Sequence, residues 1–255
     1  MIKLKTKEEI EILKEGGKRH AYILSMLGKK VEPGISTNDL EEYARKLIKE
    51  GGDIPSLINY TPKGARRPYP AALCVSVNNE VVHGIPNESP RILQDGDVVS
   101  IDFSLTHKGM ITDATITVPV GKVSEENDKL IKHCEEAMYV GIAQAKGGGR
   151  IGDISNAIEK YVRELGYGLC EGLCGHGVGY KVHEDPFVPN EGRPGTGEKL
   201  VPGLVIAIEP MITLGTDKII LSKDGYTYKT ADGTNAAHFE HTIVITEGDP
   251  IILTK

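Results

Sequence analysis

The stretch GDVVSIDFSLTHKGMITDATITV, residues 96–118, decides how this chain folds. Two runs rich in Val, Ile, Thr and Phe flank Lys108-Gly109, a pair suited to a two-residue hairpin turn. Such a turn fixes the register, with His107 opposite Met110 and Asp102 opposite Thr115. Asp113 then shares the face of Asp102, on the diagonal, about 7–8 Å away along the backbone. Two carboxylates inside apolar strands repel each other, and each is costly to bury unpaired. A divalent cation between them would relieve both costs.

Upstream, Thr6-x-x-Glu9 is a capping box, and it predicts a helix to about Gly28. A turn at Glu32-Pro-Gly34 leads to a second helix capped by Thr37 or Asn38. That helix carries Leu40, Tyr43, Ala44, Leu47 and Ile48 on one face and stops at Gly51-Gly52. Residues 72–77 and 80–83 read as strands joined in a hairpin at Asn78-Asn79. Downstream, Ser124 caps a long helix to about Lys146, and Asp153 starts another that ends near Gly166. Strands and loops follow, with hairpin signals at Asp224-Gly225 and Asp232-Gly233.

This order of elements repeats. Gly34, Asp39, Lys46, Glu50 and Gly52 match Gly148, Asp153, Lys160, Glu164 and Gly166. Val82-His83-x-x-Pro86 matches Val182-His183-x-x-Pro186, and Val99-x-Ile101-Asp102 matches Ile206-x-Ile208-Glu209. Three matches in one order predict two similar α+β halves, roughly 1–120 and 121–255. They would be related by a pseudo-twofold axis, share one sheet, and form one domain over 1–255 with its cleft between the halves.

Composition narrows the function. The 255 residues are 39% hydrophobic and 26% charged, with a net charge of −6, enough for a real core and without the basic footprint of a nucleic-acid binder. No apolar run reaches the roughly 18–20 residues of a membrane span, and the first residues lack the apolar region of a signal peptide. Cys74, Cys134, Cys170 and Cys174 form no C-x-x-C pair, so a reduced, cytoplasmic protein is expected.

Gly147-x-Gly149-x-x-Gly152 has the letters of a dinucleotide fingerprint, but it follows a helix and reads as a helix–helix turn. The chemistry lies elsewhere. Like Asp102, Glu209 sits in an apolar run, LVIAIEPMI, and Glu240-His241 lies between AAHF and TIVIT. His176 stands among glycines in Gly175-His-Gly-Val-Gly179, where the backbone can approach closely. Asp102, Asp113, Glu209, Glu240 and His176 form an oxygen-rich donor set. It suits two divalent ions of the Mn, Fe(II), Co or Zn kind better than a structural cysteine-zinc site. Two ions about 3.5–4 Å apart make a water acidic enough to attack a carbonyl.

The stretches NNEVVHGIPN, GDVVSIDFSL with GMITDAT, GHGVGYKVHEDP, GLVIAIEPMI and HFEHTIVIT follow one another in this order, and the resemblance that they carry extends over essentially the whole chain. On them the sequence resembles the type I methionine aminopeptidases. The resemblance implies a pita-bread fold around a central dinuclear metal site. It implies that Asp102 chelates one ion, that Asp113 and Glu240 bridge both, and that His176 and Glu209 hold the other. Glu209 would also carry a proton. His83 and His183 would lie outside the coordination shell and hydrogen-bond the substrate and the tetrahedral intermediate. Tyr69 and Cys74 match positions of the pocket for the methionine side chain. Val182 stands where the family often has an aromatic residue, and Tyr226 where it often has tryptophan in the strand after the Asp224-Gly225 turn.

The implied activity is removal of the N-terminal methionine from nascent proteins and peptides, with a small second residue preferred. A monomer is expected, with nascent chains as partners, contact with the ribosome left open, and neither nucleic acid nor membrane as a target. An aminopeptidase of different P1 preference, a silent pita-bread scaffold and a plain Ca- or Mg-binding protein are the alternatives. The last would not account for His83, His176 and His183.

Overall fold

The computed structural model describes residues 2–255. Helices α1 (Lys7–Lys30) and α2 (Thr37–Glu50) precede strands β1 (Ile54–Pro55), β2 (Cys74–Val77), β3 (Glu80–Val82), β4 (Val98–His107) and β5 (Met110–Pro119). Helices α3 (Glu125–Gln144) and α4 (Ile151–Glu164) begin the second half. Strands β6 (Gly168–Leu169), β7 (Cys174–Gly177), β8 (Glu184–Pro189), β9 (Val205–Ile208) and β10 (Met211–Thr213) come next. Then follow β11 (Ile219–Leu221), β12 (Tyr228–Thr230), β13 (Ala236–His238), β14 (Glu240–Val244) and β15 (Ile251–Ile252).

The helix ends follow from capping chemistry. Thr6 and Glu9 make the reciprocal box expected of them. The second helix starts earlier than its sequence suggests, because Ser36 takes the cap and Asp39 closes the box. In α4, Asp153 is the third helical residue, and its carboxylate accepts from the backbone N–H of Arg150 at 2.8 Å. The helix therefore begins two residues before Asp153. The glycines at 147, 149 and 152 lie in or beside the α3–α4 connection, with no strand before them.

The β4–β5 hairpin has the register that its turn dictates, with His107 facing Met110, Asp102 facing Thr115 and Ser104 facing Asp113. Lys108 and Gly109 both take positive φ, 48° and 85°, as a type I′ turn requires. Because side chains alternate across a strand, Ile101, Phe103 and Leu105 point to one face. They join Leu24, Leu27, Leu40 and Ile48 of α1 and α2 in a buried core. Ser100, Asp102 and Ser104 point to the other face. The second half does the same, with Ile206 and Ile208 packed against Leu130, Met138, Ile154 and Ile158 of α3 and α4. Each such apolar side chain contributes roughly 1.5–3 kcal/mol on burial, so the helix-facing side of the sheet holds the polar side in place.

The main sheet runs β1-β4-β5-β14-β9-β7-β8, with β2 also on β4 and β15 also on β14. β5 and β14 meet at its middle, Thr115 opposite Glu240. First-half and second-half strands thus share one sheet, joined at the strands that carry Asp113 and Glu240. Two expected hairpins do not form. β2 pairs with β4 while β3 pairs with β12, because Asn78 turns the chain out of the main sheet at φ 60°. The turn at Asp232-Gly233 likewise joins β12 to β13, which belong to two different three-stranded sheets. Among the described residues, no helix is long and apolar enough to cross a membrane.

Candidate metal centre

The polar face of the sheet opens into a cavity of about 160 Å³ that reaches Asp102, Asp113, His176, Glu209 and Glu240 together. β4 supplies Asp102, β5 Asp113, β7 His176 and β14 Glu240, while Glu209 directly follows β9. Donor atoms of Asp113, His176 and Glu240, all buried, lie within 4.8 Å of one another. Nε2 of His176 is 3.3 Å from Glu209 Oε1 and 3.9 Å from Asp113 Oδ2.

Asp113 and Glu240 are each held by one carboxylate oxygen and free at the other. Ser104 donates to Asp113 Oδ2 at 2.9 Å, and Thr115 donates to Glu240 Oε2 at 2.9 Å. Asp113 Oδ1 and Glu240 Oε1 are buried with no hydrogen-bond partner in the protein. A buried carboxylate left this way costs several kcal/mol unless a proton or a cation neutralises it. Burial accordingly pushes Asp102 up to about 6 and Glu209 up to about 8. Burial first, and the neighbouring carboxylates second, raise Asp113 and Glu240 well above their ordinary range.

The imidazole is set for the opposite task. His176 Nδ1 lies 2.9 Å from the Gly177 carbonyl, which can only accept, so Nδ1 carries the proton. Burial lowers its pKa to about 3, so the ring is neutral and Nε2 presents a lone pair to the carboxylates. The flanking glycines are required by close packing. A Cβ on Gly175 would meet the Ala207 carbonyl oxygen at 2.3 Å, and one on Gly177 the Asp185 carbonyl oxygen at 2.2 Å. Orphaned carboxylate oxygens converging with a neutral imidazole nitrogen are the donor set of a divalent cation, and the residues present fit one.

His83 and His183 stand beside this cluster. The His183 ring lies 4.4 Å from that of His176, and its Nδ1 is 2.7 Å from the Tyr60 hydroxyl. His83 takes φ 61°, an uncommon backbone state for a residue with a side chain. Its carbonyl accepts from Thr227 Oγ1 at 3.3 Å. Burial pulls its pKa to about 4, so it too is neutral.

One end of the cavity is apolar. Tyr69, Cys74, Val182 and Tyr226 line it and belong to one buried cluster. Tyr69 meets Tyr226 edge-on at 5.0 Å, and its hydroxyl donates to the Gly84 carbonyl at 3.0 Å. Tyr226 lies in the turn before β12 rather than in a strand, with its backbone N–H bonded to Asp224 Oδ1 at 2.8 Å. The whole cavity is smaller than the roughly 300–1,000 Å³ of a drug-sized pocket, so it has room for one side chain beside the donor cluster.

The model of metallopeptidase family M24 matches residues 11–247. The chain belongs to this family. Among M24 relatives, it is 44% identical to the methionine aminopeptidase of Aquifex aeolicus over 257 residues, which cover 100% of this chain and 99% of the relative. It is 42% identical to methionine aminopeptidase 1 of Bacillus subtilis, covering 100% of each. The crystal structure of the Thermotoga maritima methionine aminopeptidase superposes with a TM-score of 0.95 at 40% identity, again over 100% of both chains. The fold is therefore the pita-bread fold of the M24 enzymes.

The cavity brings together every residue that the sequence offered for the site. It also contains Tyr60 and His238, which the sequence did not single out, and Asn190 touches Glu209 from outside its lining. Tyr60 bonds His183, and Asn190 Nδ2 donates to the Glu209 carbonyl at 3.0 Å. His238 reaches within 3.4 Å of Glu209 Oε2. A signal for His238 existed, because it stands two residues before Glu240 in HFEH and period-2 alternation puts both on one face. Tyr60 and Asn190 carry no such signal, since only the fold brings their loops to the cleft.

Proposed function

We propose that this chain is a metal-dependent aminopeptidase that removes N-terminal methionine from peptides and nascent proteins, preferring a small second residue. The carrying observation is the cluster of Asp113, His176 and Glu240 donor atoms within 4.8 Å, in a cavity that the buried Tyr69, Cys74, Val182 and Tyr226 also line. A small cavity walled by buried side chains beside a hydrolytic centre suits an exopeptidase, because it has room for one terminal side chain.

In this reading Asp102, Asp113, His176, Glu209 and Glu240 would together hold two divalent ions, with Asp113 and Glu240 shared between them. Such ions, whether Co, Mn, Fe(II) or Zn, supply Lewis acidity toward the scissile carbonyl and an acidic water. The methionine side chain, unbranched and polarizable, fills the space between Tyr69, Cys74, Val182 and Tyr226. His83 and His183 donate hydrogen bonds where negative charge develops on the carbonyl oxygen. Glu209 takes the proton of the attacking water and delivers it to the leaving amine nitrogen as the peptide C–N bond breaks.

The two halves act as one catalytic domain in this proposal, because Asp113 comes from the first and Glu240 from the second. A monomer working in the cytosol is the matching cellular form. Initiator methionine is carried by new chains, so the emerging chain at the ribosome is the substrate in place. Turnover of a Met-Ala-Ser peptide against its Leu and Pro analogues tests the reading, before and after chelation. Cleavage of the Met peptide that stops on chelation and returns with added Mn, Fe(II) or Co is expected. Full activity in a metal-free preparation would refute it.

A further inference from the structure

Glu209 is bracketed by two imidazoles. Its Oε1 lies 3.3 Å from His176 Nε2, and its Oε2 lies 3.4 Å from His238 Nε2. Asn190 fixes the backbone carbonyl of the same residue. His176 uses its Nδ1 on Gly177, but neither nitrogen of His238 has a hydrogen-bond partner in the protein, although the residue is only 2% exposed. An imidazole buried in that state forgoes roughly 1–3 kcal/mol. Its backbone leaves it no retreat, since N–H donates to Thr117 Oγ1 at 3.0 Å and Met211 faces it across β10–β13.

The repeat gives the same position a second meaning. Asp102 matches Glu209, so Ser104 matches Met211. Ser104 faces Asp113, and Met211 faces His238. His238 therefore occupies in the second half the place that Asp113 holds in the first, a position aimed into the cleft.

We propose that His238 is a positioning residue for Glu209, its Nε2–H donating to Oε2 so that Oε1 stays turned toward His176 and the ion site. This rests on the reading of Glu209 as metal ligand and proton carrier. A carboxylate fixed at one oxygen keeps the other available in one direction, as the outer partners of metal ligands do. His238 approaches Oε2, the oxygen opposite the one that faces His176, which places it behind the carboxylate.

The test compares His238→Leu, His238→Gln and His238→Asn in the metal-loaded full chain, reading kcat, KM and bound metal. His238→Leu should lower kcat by about 10–100-fold, the usual loss for an outer partner, with KM within about twofold and metal content unchanged. Glutamine offers an N–H at similar reach and should restore kcat to within about threefold. Asparagine, one methylene shorter, should not; this contrast serves if the leucine variant fails to fold. Wild-type kcat in His238→Leu, a glutamine variant no better than asparagine, or loss of metal from any of the three overturns the proposal. Wild-type protein without metal-dependent turnover would instead overturn the parent reading of Glu209.

Discussion

The two halves of the molecule share a scaffold and differ in chemistry. Asp102 and Glu209 are counterparts, and so are His83 and His183. Other matched positions diverge. Six residues before Val82 stands Ser76, whereas six before Val182 stands His176. Asp113 corresponds to His238, and by the same register Thr115 corresponds to Glu240. The first half thus offers the cleft only oxygen donors at these places, and the second adds nitrogen. Two halves built alike would open a pocket where they meet, and on the proposed reading their unequal side chains would make two unlike ion positions. Divergence of this kind is cheap for the fold, because the helix-facing residues that hold each half together lie on the opposite face of every strand.

The comparison breaks most visibly at the bridging pair. Asp113→Asn and Glu240→Gln each remove a charge from one half while keeping size and most hydrogen bonds. Losing an outer partner of a metal costs about 10–100-fold, so losing a shared ligand should cost on the order of 1000-fold or more in kcat/KM, with metal lost. Circular dichroism should show the fold largely intact, because removing one carboxylate from a buried like-charged cluster also removes repulsion. If either variant keeps its metal and wild-type turnover, the half carrying it does not supply a bridge.

The matched histidines sharpen the comparison at an intermediate scale. His83→Ala and His183→Ala should both retain metal, with kcat reduced by about 10–1000-fold, the range for a lost transition-state donor. Metal analysis beside steady-state kinetics checks this. Metal loss in one variant alone would mean that the halves diverge here as well, and would move that histidine among the ligands.

The legible part of this molecule was the part written in local chemistry. The register of β4 and β5 follows from a two-residue turn, so the shared face of Asp102 and Asp113 is legible in the sequence alone. Four acids in apolar runs stood out because burial penalises them. Partners of isolated strands were less legible. Nothing local says that β2 and β3, two residues apart, belong to different sheets, since that depends on where β4 and β12 arrive. The helices start one or two residues before the expected caps, because Ser36 stands beside Thr37 and Asn38 as an equal candidate, and because Asp153 reaches back to the Arg150 N–H as the third residue of α4. Residues such as Tyr60 and Asn190, whose roles exist only through distant neighbours, left no trace in pattern or spacing.

The smallest expected effect lies in the pocket, where the halves meet again: Tyr69 and Cys74 come from the first, Val182 and Tyr226 from the second. Val182 is 4% exposed and leaves more room than an aromatic residue would. Methionine should still be preferred at P1, with more leakage toward leucine-like side chains than a tighter pocket permits. Apolar fit discriminates by only about 1–3 kcal/mol per methylene. Val182→Phe narrows the space against Tyr69 and Tyr226, and the flexible methionine chain can thread what branched leucine cannot. The Met-to-Leu ratio of kcat/KM should therefore rise by about fivefold to tenfold, near the lower end of that range. Overpacking carries its own cost of about 1–3 kcal/mol, so thermal unfolding should be followed in parallel, and a modest drop in Tm is expected. The ratio is insensitive to that loss, because both substrates are read on the same folded fraction. An unchanged ratio would show that Val182 does not touch the P1 side chain, and that Tyr69, Cys74 and Tyr226 set what the pocket accepts.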